Sequence, residues 1–185
     1  MLIVAAAREE LGELEGQVVG VGPVVAAATA AVLLERHRPD GVVMIGTAGA
    51  YRSGPPIGSA VIAARLGLSW GVAVLGLGYV PRPPGPIDAD PALVAGLGAL
   101  PQVGVLTVGA VTTDRALAER LADGWEVEHL EAYAVAWACQ RAEIPFVAVL
   151  GIANDVGPNA HVQWLTHRDA AQQAARDAIR PLVGA

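Results

Sequence analysis

Short apolar runs alternate with stretches of helix-forming residues along most of the chain. Residues 2–6 are apolar throughout and predict a buried strand. Residues 18–21 predict a second, closed by Gly20-Val21-Gly22-Pro23. Residues 24–37 are mostly Ala, Leu and Val and predict a helix. Pro23 suits its first position, and Pro39-Asp40 ends it. Residues 41–45 form another apolar, β-branched run, followed by the small residues Gly46-Thr47-Ala48-Gly49-Ala50. Strand, helix and strand in such close succession is the βαβ pattern. Strands with no polar face belong to a sheet covered on both sides. Further strands are predicted at 60–64, 71–77, 103–108 and 144–152, and further helices at 91–97, 114–122, 131–141 and 160–180. Asp114 suits a helix cap, because its carboxylate can accept from unpaired backbone donors. Residues 81–90, rich in Pro and Gly, predict a surface loop. With no repeat or linker in view, the pattern predicts one α/β domain over residues 1–185: a three-layer αβα sandwich around a central sheet.

Composition narrows the function classes. Hydrophobic residues make up 54% of the 185 and charged residues 16%, which excludes a disordered chain. A chain of this length can bury about two-thirds of its unfolded surface. Cys139 stands alone, so there is no disulfide framework, and no Cys/His cluster has metal-site spacing. Neither metal nor redox cofactor is expected. The net charge is −6 and the 12 basic residues are all Arg, with no basic run, so nucleic acid is not an expected partner. Every apolar stretch is broken before about 18 residues, too short for a membrane span. The start lacks a basic region and turns acidic within ten positions, unlike a signal peptide. A cytoplasmic protein is expected.

In an open α/β sheet, ligands bind beyond the carboxyl ends of the strands. That selects residues 8–10, 20–23, 46–50, 110–114, 127–131 and 153–157. Gly20-Val21-Gly22 could let backbone approach an anion at a helix start. It lacks the full dinucleotide fingerprint and the Walker lysine, and a plain tight turn explains it equally well. The small residues Gly46 to Gly49 leave room for a flat ligand, or make a sharp turn. Glu128 and Glu131 flank His129 and Leu130 where a strand should meet a helix, and an acidic residue there also suits the helix dipole. Asn154-Asp155 fits an Asx turn before Gly157-Pro158. His161 and His167 read as solvated. Trp137 reads as core packing beside Tyr133, and Cys139 as a small buried hydrophobe.

Five segments, in order along nearly the whole chain, resemble the nucleoside phosphorylase and nucleosidase superfamily. Residues 2–10 (LIVAAAREE) look like its opening strand and acidic turn, and 20–23 (GVGP) like its glycine turn. Residues 33–49 (LLERHRPDGVVMIGTAG) resemble the approach to its small-residue loop. Residues 127–132 (VEHLEA) are similar to its acidic ribose motif. Residues 144–157 (IPFVAVLGIANDVG) are similar to its last strand and leaving-group motif. Within the superfamily, the spacing of Val127, Glu128 and Glu131 and the amide at Asn154 resemble the futalosine hydrolases. Adenine-specific members commonly carry Asp at that last position. An amide can instead donate to a 6-oxo group and accept from a ring N–H.

The resemblance implies a mixed central sheet and hydrolysis of the N-glycosidic bond of a 6-oxopurine nucleoside. Glu131 would face the sugar's developing positive charge, Asn154 the leaving purine, and Glu10 the attacking water. Gly22, Thr47, Ala48, Gly49, Val111, Thr112, His129, Leu130 and Asp155 would line the nucleoside site. Leu150 stands where the family usually has Arg, which argues against phosphorolysis. Thr112 falls near the family's aromatic base-stacking position. A methylthioadenosine-type nucleosidase, a purine nucleoside phosphorylase and a nucleoside-binding homologue without catalysis are the alternatives. Apolar helix faces and the family pattern predict a homo-oligomer whose partner molecule is a small purine nucleoside.

Overall fold

The opening apolar run lies inside the sheet as β1 (Leu2–Ala5) in a computed structural model that describes residues 1–184. There follow α1 (Arg8–Leu11), β2 (Gln17–Val18), α2 (Pro23–His37), β3 (Val42–Ala50) and β4 (Ala60–Leu68). Then come α3 (Gly71–Val74), β5 (Ile87–Asp88), α4 (Pro91–Gly96), β6 (Gln102–Thr107) and α5 (Arg115–Leu121). The chain continues through β7 (Val127–His129), α6 (Ala132–Arg141), β8 (Phe146–Asp155), α7 (Ala160–Ala178) and α8 (Arg180–Val183). Pro23 opens α2 as its composition predicts. Asp114 caps α5 by accepting from Leu117 N at 2.7 Å. Asp90 caps α4 in the same way.

The strands form one mixed sheet of eight. β3 runs parallel to β8 along its whole length, from Val42 opposite Phe146 to Ala50 opposite Asp155. β8 is antiparallel to β4, β4 parallel to β6, and β6 parallel to β7. β7 then returns antiparallel to the end of β3, so the sheet curls round on itself. This closure brings Gly49 level with both Glu128 and Asn154. Helices cover both faces, as the unbroken apolar strands require. α2 and α6 pack on one face through Leu33, Leu34, Tyr133 and Val135 against Met44 and Leu150. α7, α4 and α8 cover the other through Ala175, Leu93 and Leu182 against Ile45, Ile62 and Val149. The three layers and mixed sheet agree with the sequence expectation. No helix among the described residues is long and apolar enough to cross a membrane.

Several local expectations fail. Residues 71–77 are not a strand: Gly71–Val74 makes a short helix with no buried residue. An apolar run without sheet neighbours has no ladder to join, and periodicity alone does not distinguish the two. The strand expected at 18–21 pairs only over Gln17–Val18. Residues 46–50 are not a turn but the second half of β3, and Asn154-Asp155 lies in β8 instead of an Asx turn. The loop at 81–90 contains the two residues of β5, whose Ile87 is buried against β4. Trp137 is no core residue. It stacks on Tyr133 with centroids 6.1 Å apart and is 42% exposed. Cys139 is buried, as read, and burial pushes its thiol up to about 12.

Candidate active site

Where the C-terminal halves of β3 and β8 meet β7, a cavity of about 720 Å³ opens beside the N-terminal half of α7. Its floor is the small-residue half of β3, where Thr47, Ala48 and Gly49 line the cavity. Their size has a direct purpose. A Cβ on Gly46 would come within 3.2 Å of Glu10 Oε1 and of His129 Nε2, and one on Gly49 within 2.7 Å of Asn154 Nδ2. Larger residues would fill the space into which these polar groups point.

Glu10 belongs to α1, a short helix where the sequence predicts an acidic turn just past the end of the first strand. Its carboxylate is buried and held by four donors. Oε2 accepts from Ala6 N at 3.1 Å and Ala7 N at 3.2 Å. Oε1 accepts from Thr47 N at 3.0 Å and from Thr47 Oγ1 at 3.4 Å. Trp164 Nε1 in turn donates to Thr47 Oγ1 at 3.0 Å, so the hydroxyl's own proton is left for Glu10. Burial raises the Glu10 pKa against the opposing effects of His129 and these backbone donors.

His129 ends β7 and is almost fully buried. Its Nδ1 accepts from Glu131 N at 3.1 Å and Ala132 N at 3.0 Å, capping the first turn of α6. An acceptor nitrogen carries no proton, so the ring is the neutral Nε2–H tautomer. Burial lowers its pKa to about 4. Glu131 Oε2 also lies 3.3 Å from Nδ1. That approach is a contact and not an ion pair, because Nδ1 is already an acceptor and the ring is uncharged. The unfolded imidazole protonates below about pH 6.5, the folded one only near pH 4. The stability associated with the neutral ring is therefore present above pH 6.5 and lost as pH falls towards 4. Between pH 7 and pH 4, the wild type should lose up to about 3 kcal/mol more than His129→Asn. Urea unfolding at the two pH values checks this, and equal losses would mean that the folded ring takes up its proton as readily as the unfolded one.

Glu131 stands at the start of α6, and its Oε1 accepts from Gly22 N at 2.7 Å. Burial raises its pKa; the donors Gly22 and Leu130 oppose this. Glu128 is fully engaged, taking Thr112 N at 2.9 Å and Tyr51 Oη at 3.0 Å. Asn154 lines the cavity from β8 and donates one amide hydrogen to Asp155 O at 3.0 Å, leaving the other hydrogen and its oxygen for a ligand.

The cavity thus brings together Glu10, Glu131 and Asn154 with Thr47, Ala48 and Gly49. Val111, His129 and Leu130 also line it. Three expected residues lie off its wall. Gly22 touches it only through its N–H to Glu131. Thr112 is buried behind Glu128. Asp155 is exposed and paired with Gln163 on α7. The reading missed a wall built by α7. His161 stacks on Trp164 at 6.1 Å, and the Arg168 guanidinium lies 5.0 Å over the same indole. Positions 161, 164 and 168 share one helix face, a spacing visible in the sequence. His161 is exposed, as expected, yet borders the cavity.

A family model described as the phosphorylase superfamily matches residues 12–184. The chain belongs to that superfamily. A 5′-methylthioadenosine/S-adenosylhomocysteine nucleosidase from Geobacillus sp. (strain WCH70) is 29% identical over 181 residues, covering 89% of this chain and 77% of the relative. The enzyme of the same name from Bacillus thuringiensis (strain Al Hakam) is 30% identical, covering 86% and 78%. Among solved structures, the nucleosidase of Neisseria meningitidis in complex with methylthio-immucillin-A superposes with a TM-score of 0.85 at 19% identity, over 98% of this chain and 97% of that one. Futalosine hydrolase of Helicobacter pylori strain 26695 superposes with a TM-score of 0.86 at 16% identity, over 98% and 95%. At these identities both structures speak for the superfamily fold, with its mixed sheet between helices.

Proposed function

We propose that this superfamily member is a nucleosidase that hydrolyses the N-glycosidic bond of purine nucleosides. The meeting of two buried carboxylates, Glu10 and Glu131, with the amide of Asn154 in one cavity carries this reading. It is an N-ribosyl hydrolase, as its relatives' names describe them. Glycoside cleavage passes through a transition state with positive charge on the sugar. Glu131 meets that charge and binds ribose hydroxyls with the oxygen that otherwise accepts from Gly22. Asn154 hydrogen-bonds the departing purine, and Glu10 accepts the proton of the attacking water. Leu130 packs against the ribose, and Thr47 to Gly49 make the floor.

Water, not phosphate, is the nucleophile. Glu9, Glu10, Glu128, Glu131 and Asp169 all border the cavity, and Arg168 is the one guanidinium there among the described residues. That field repels a phosphate dianion. Leu150, fully buried, offers no cation either.

The base is a 6-oxopurine, which makes futalosine the leading substrate. The amide of Asn154 supports this, since it can donate to the 6-oxo group and accept from the neighbouring ring N–H. The second reading is a methylthioadenosine/adenosylhomocysteine nucleosidase, favoured by the names of relatives at 29% and 30% identity. Incubation with inosine, futalosine, 5′-methylthioadenosine and adenosylhomocysteine, with and without phosphate, followed by detection of free base, tests both. No release from any nucleoside would end the hydrolase reading. Asn154→Asp should shift the kcat/KM ratio towards adenine nucleosides by on the order of tenfold or more, because a carboxyl can protonate the departing ring. An unchanged ratio would remove Asn154 from base recognition.

A further inference from the structure

We infer that His129 is the second holder of the attacking water, donating Nε2–H to the oxygen whose proton Glu10 accepts. This rests on the hydrolase reading above. Two backbone donors on Nδ1 leave the ring's proton on Nε2. Nε2 itself has no hydrogen-bond partner among the described residues, and no buried polar side-chain atom among them is left unsatisfied, so Nε2 opens to the cavity that His129 lines.

The position of Gly46 shows where Nε2 points. Its missing Cβ would lie 3.2 Å from Nε2 and 3.2 Å from Glu10 Oε1. A fixed donor and a fixed acceptor therefore flank the same side of the Gly46 backbone, close enough together for one oxygen lying above it, clear of the Gly46 Cα, to bridge them. Water fits both: it accepts from Nε2 and donates to Glu10, with a lone pair left for the sugar. The Thr47 Oγ1 contact at 3.4 Å is the longest of the four on Glu10 and the easiest for water to displace.

In the step itself, the water oxygen forms a bond to C1′ as the C1′–N bond breaks and its electron pair leaves with the purine. One water proton passes to Glu10 and returns through solvent to the purine nitrogen. His129 keeps its own proton throughout, which a neutral ring buried among backbone donors is suited to do.

His129 also caps α6, so the test must separate the two roles. In His129→Asn, Oδ1 replaces Nδ1 and keeps the cap, but the donor is lost. In His129→Gln, the amide nitrogen replaces Nε2 and keeps the donor, but the cap is lost. With whichever nucleoside of the panel the wild type cleaves fastest, kcat of His129→Asn should fall roughly 10²-fold with KM within about threefold, and His129→Gln should recover at least about tenfold of that loss. A merely structural histidine gives the reverse order, with His129→Asn near wild type, and overturns the inference. Gly46→Ala crowds Nε2 and Glu10 Oε1 from the one side without touching the cap, and serves should either histidine variant fail to fold: wild-type kcat there overturns the inference too. In the wild type, ¹⁵N shifts of the ring should show the Nε2–H tautomer alone, and a proton on Nδ1 would contradict the assignment. A wild type that cleaves nothing ends the hydrolase reading and this one with it; an active wild type indifferent at position 129 ends this one alone.

Discussion

Glu131→Gln should lower kcat by a factor on the order of 10² to 10³ and leave the fold intact. The amide is isosteric and keeps an oxygen for the Gly22 N–H, so the contact between α6 and the turn before α2 survives. What disappears is the negative charge facing the sugar as it becomes cationic. Burial makes that charge costly in the free protein, which is why the Glu131 pKa is raised. The same low polarity strengthens its attraction to a nearby cation, so the carboxylate gains most at the transition state. Steady-state rates with a parallel thermal melt check this. Rates near wild type with an unchanged melt would remove Glu131 from the chemistry.

The largest loss of stability is expected behind the cavity floor, at Gly151, opposite Thr47 in the sheet. β8 passes so close under α7 that a Cβ at this position would collide with the backbone of Ala171. A backbone neighbour cannot swing aside like a side-chain tip, so the helix must lift. Overpacking of this kind costs about 3 kcal/mol or more. For a chain of this size, about 2–4 °C per kcal/mol makes that a fall of roughly 6–12 °C in Tm for Gly151→Ala. Gly109→Ala is the control, since nothing lies within 4 Å of its added methyl. Lifting α7 also draws Trp164 from Thr47, so Gly151→Ala should lose activity below its melt. Equal melts for the two variants would contradict the close packing.

Much of this architecture was legible because burial leaves a strong mark on sequence. β1, β3 and β8 are apolar on both faces, and α2 carries its Pro start and Pro-Asp stop. Short elements were not legible. β2 and β5 pair over two residues each, and α3 spans four; so few residues carry no period. The run at 46–50 was read in part: it leaves room for a ligand, but as strand and not as a loop or turn. Small residues suggest a turn, yet here they serve a strand that must leave volume above it, and the side chains needing that volume come from residues 10, 129 and 154. Glu10, Glu131 and Asn154 were found through family-like motifs. Trp164 was not, because its partner, Thr47, lies 117 positions away, and local pattern says nothing about such a distance. Glu128, read as a helix-dipole residue, holds Tyr51 and Thr112 instead.

The grip of α7 on Glu10 has a consequence for how the molecule is made. Trp164 reaches Glu10 through Thr47, and Arg176 donates to the carbonyls of Glu9 and Glu10. Ribosomes deliver a protein from its amino terminus, so the acid emerges well before the helix that clamps it. A growing polypeptide can lay down every strand while Glu10 still lacks its outer supports, and the site is complete only once α7 has been made and docked.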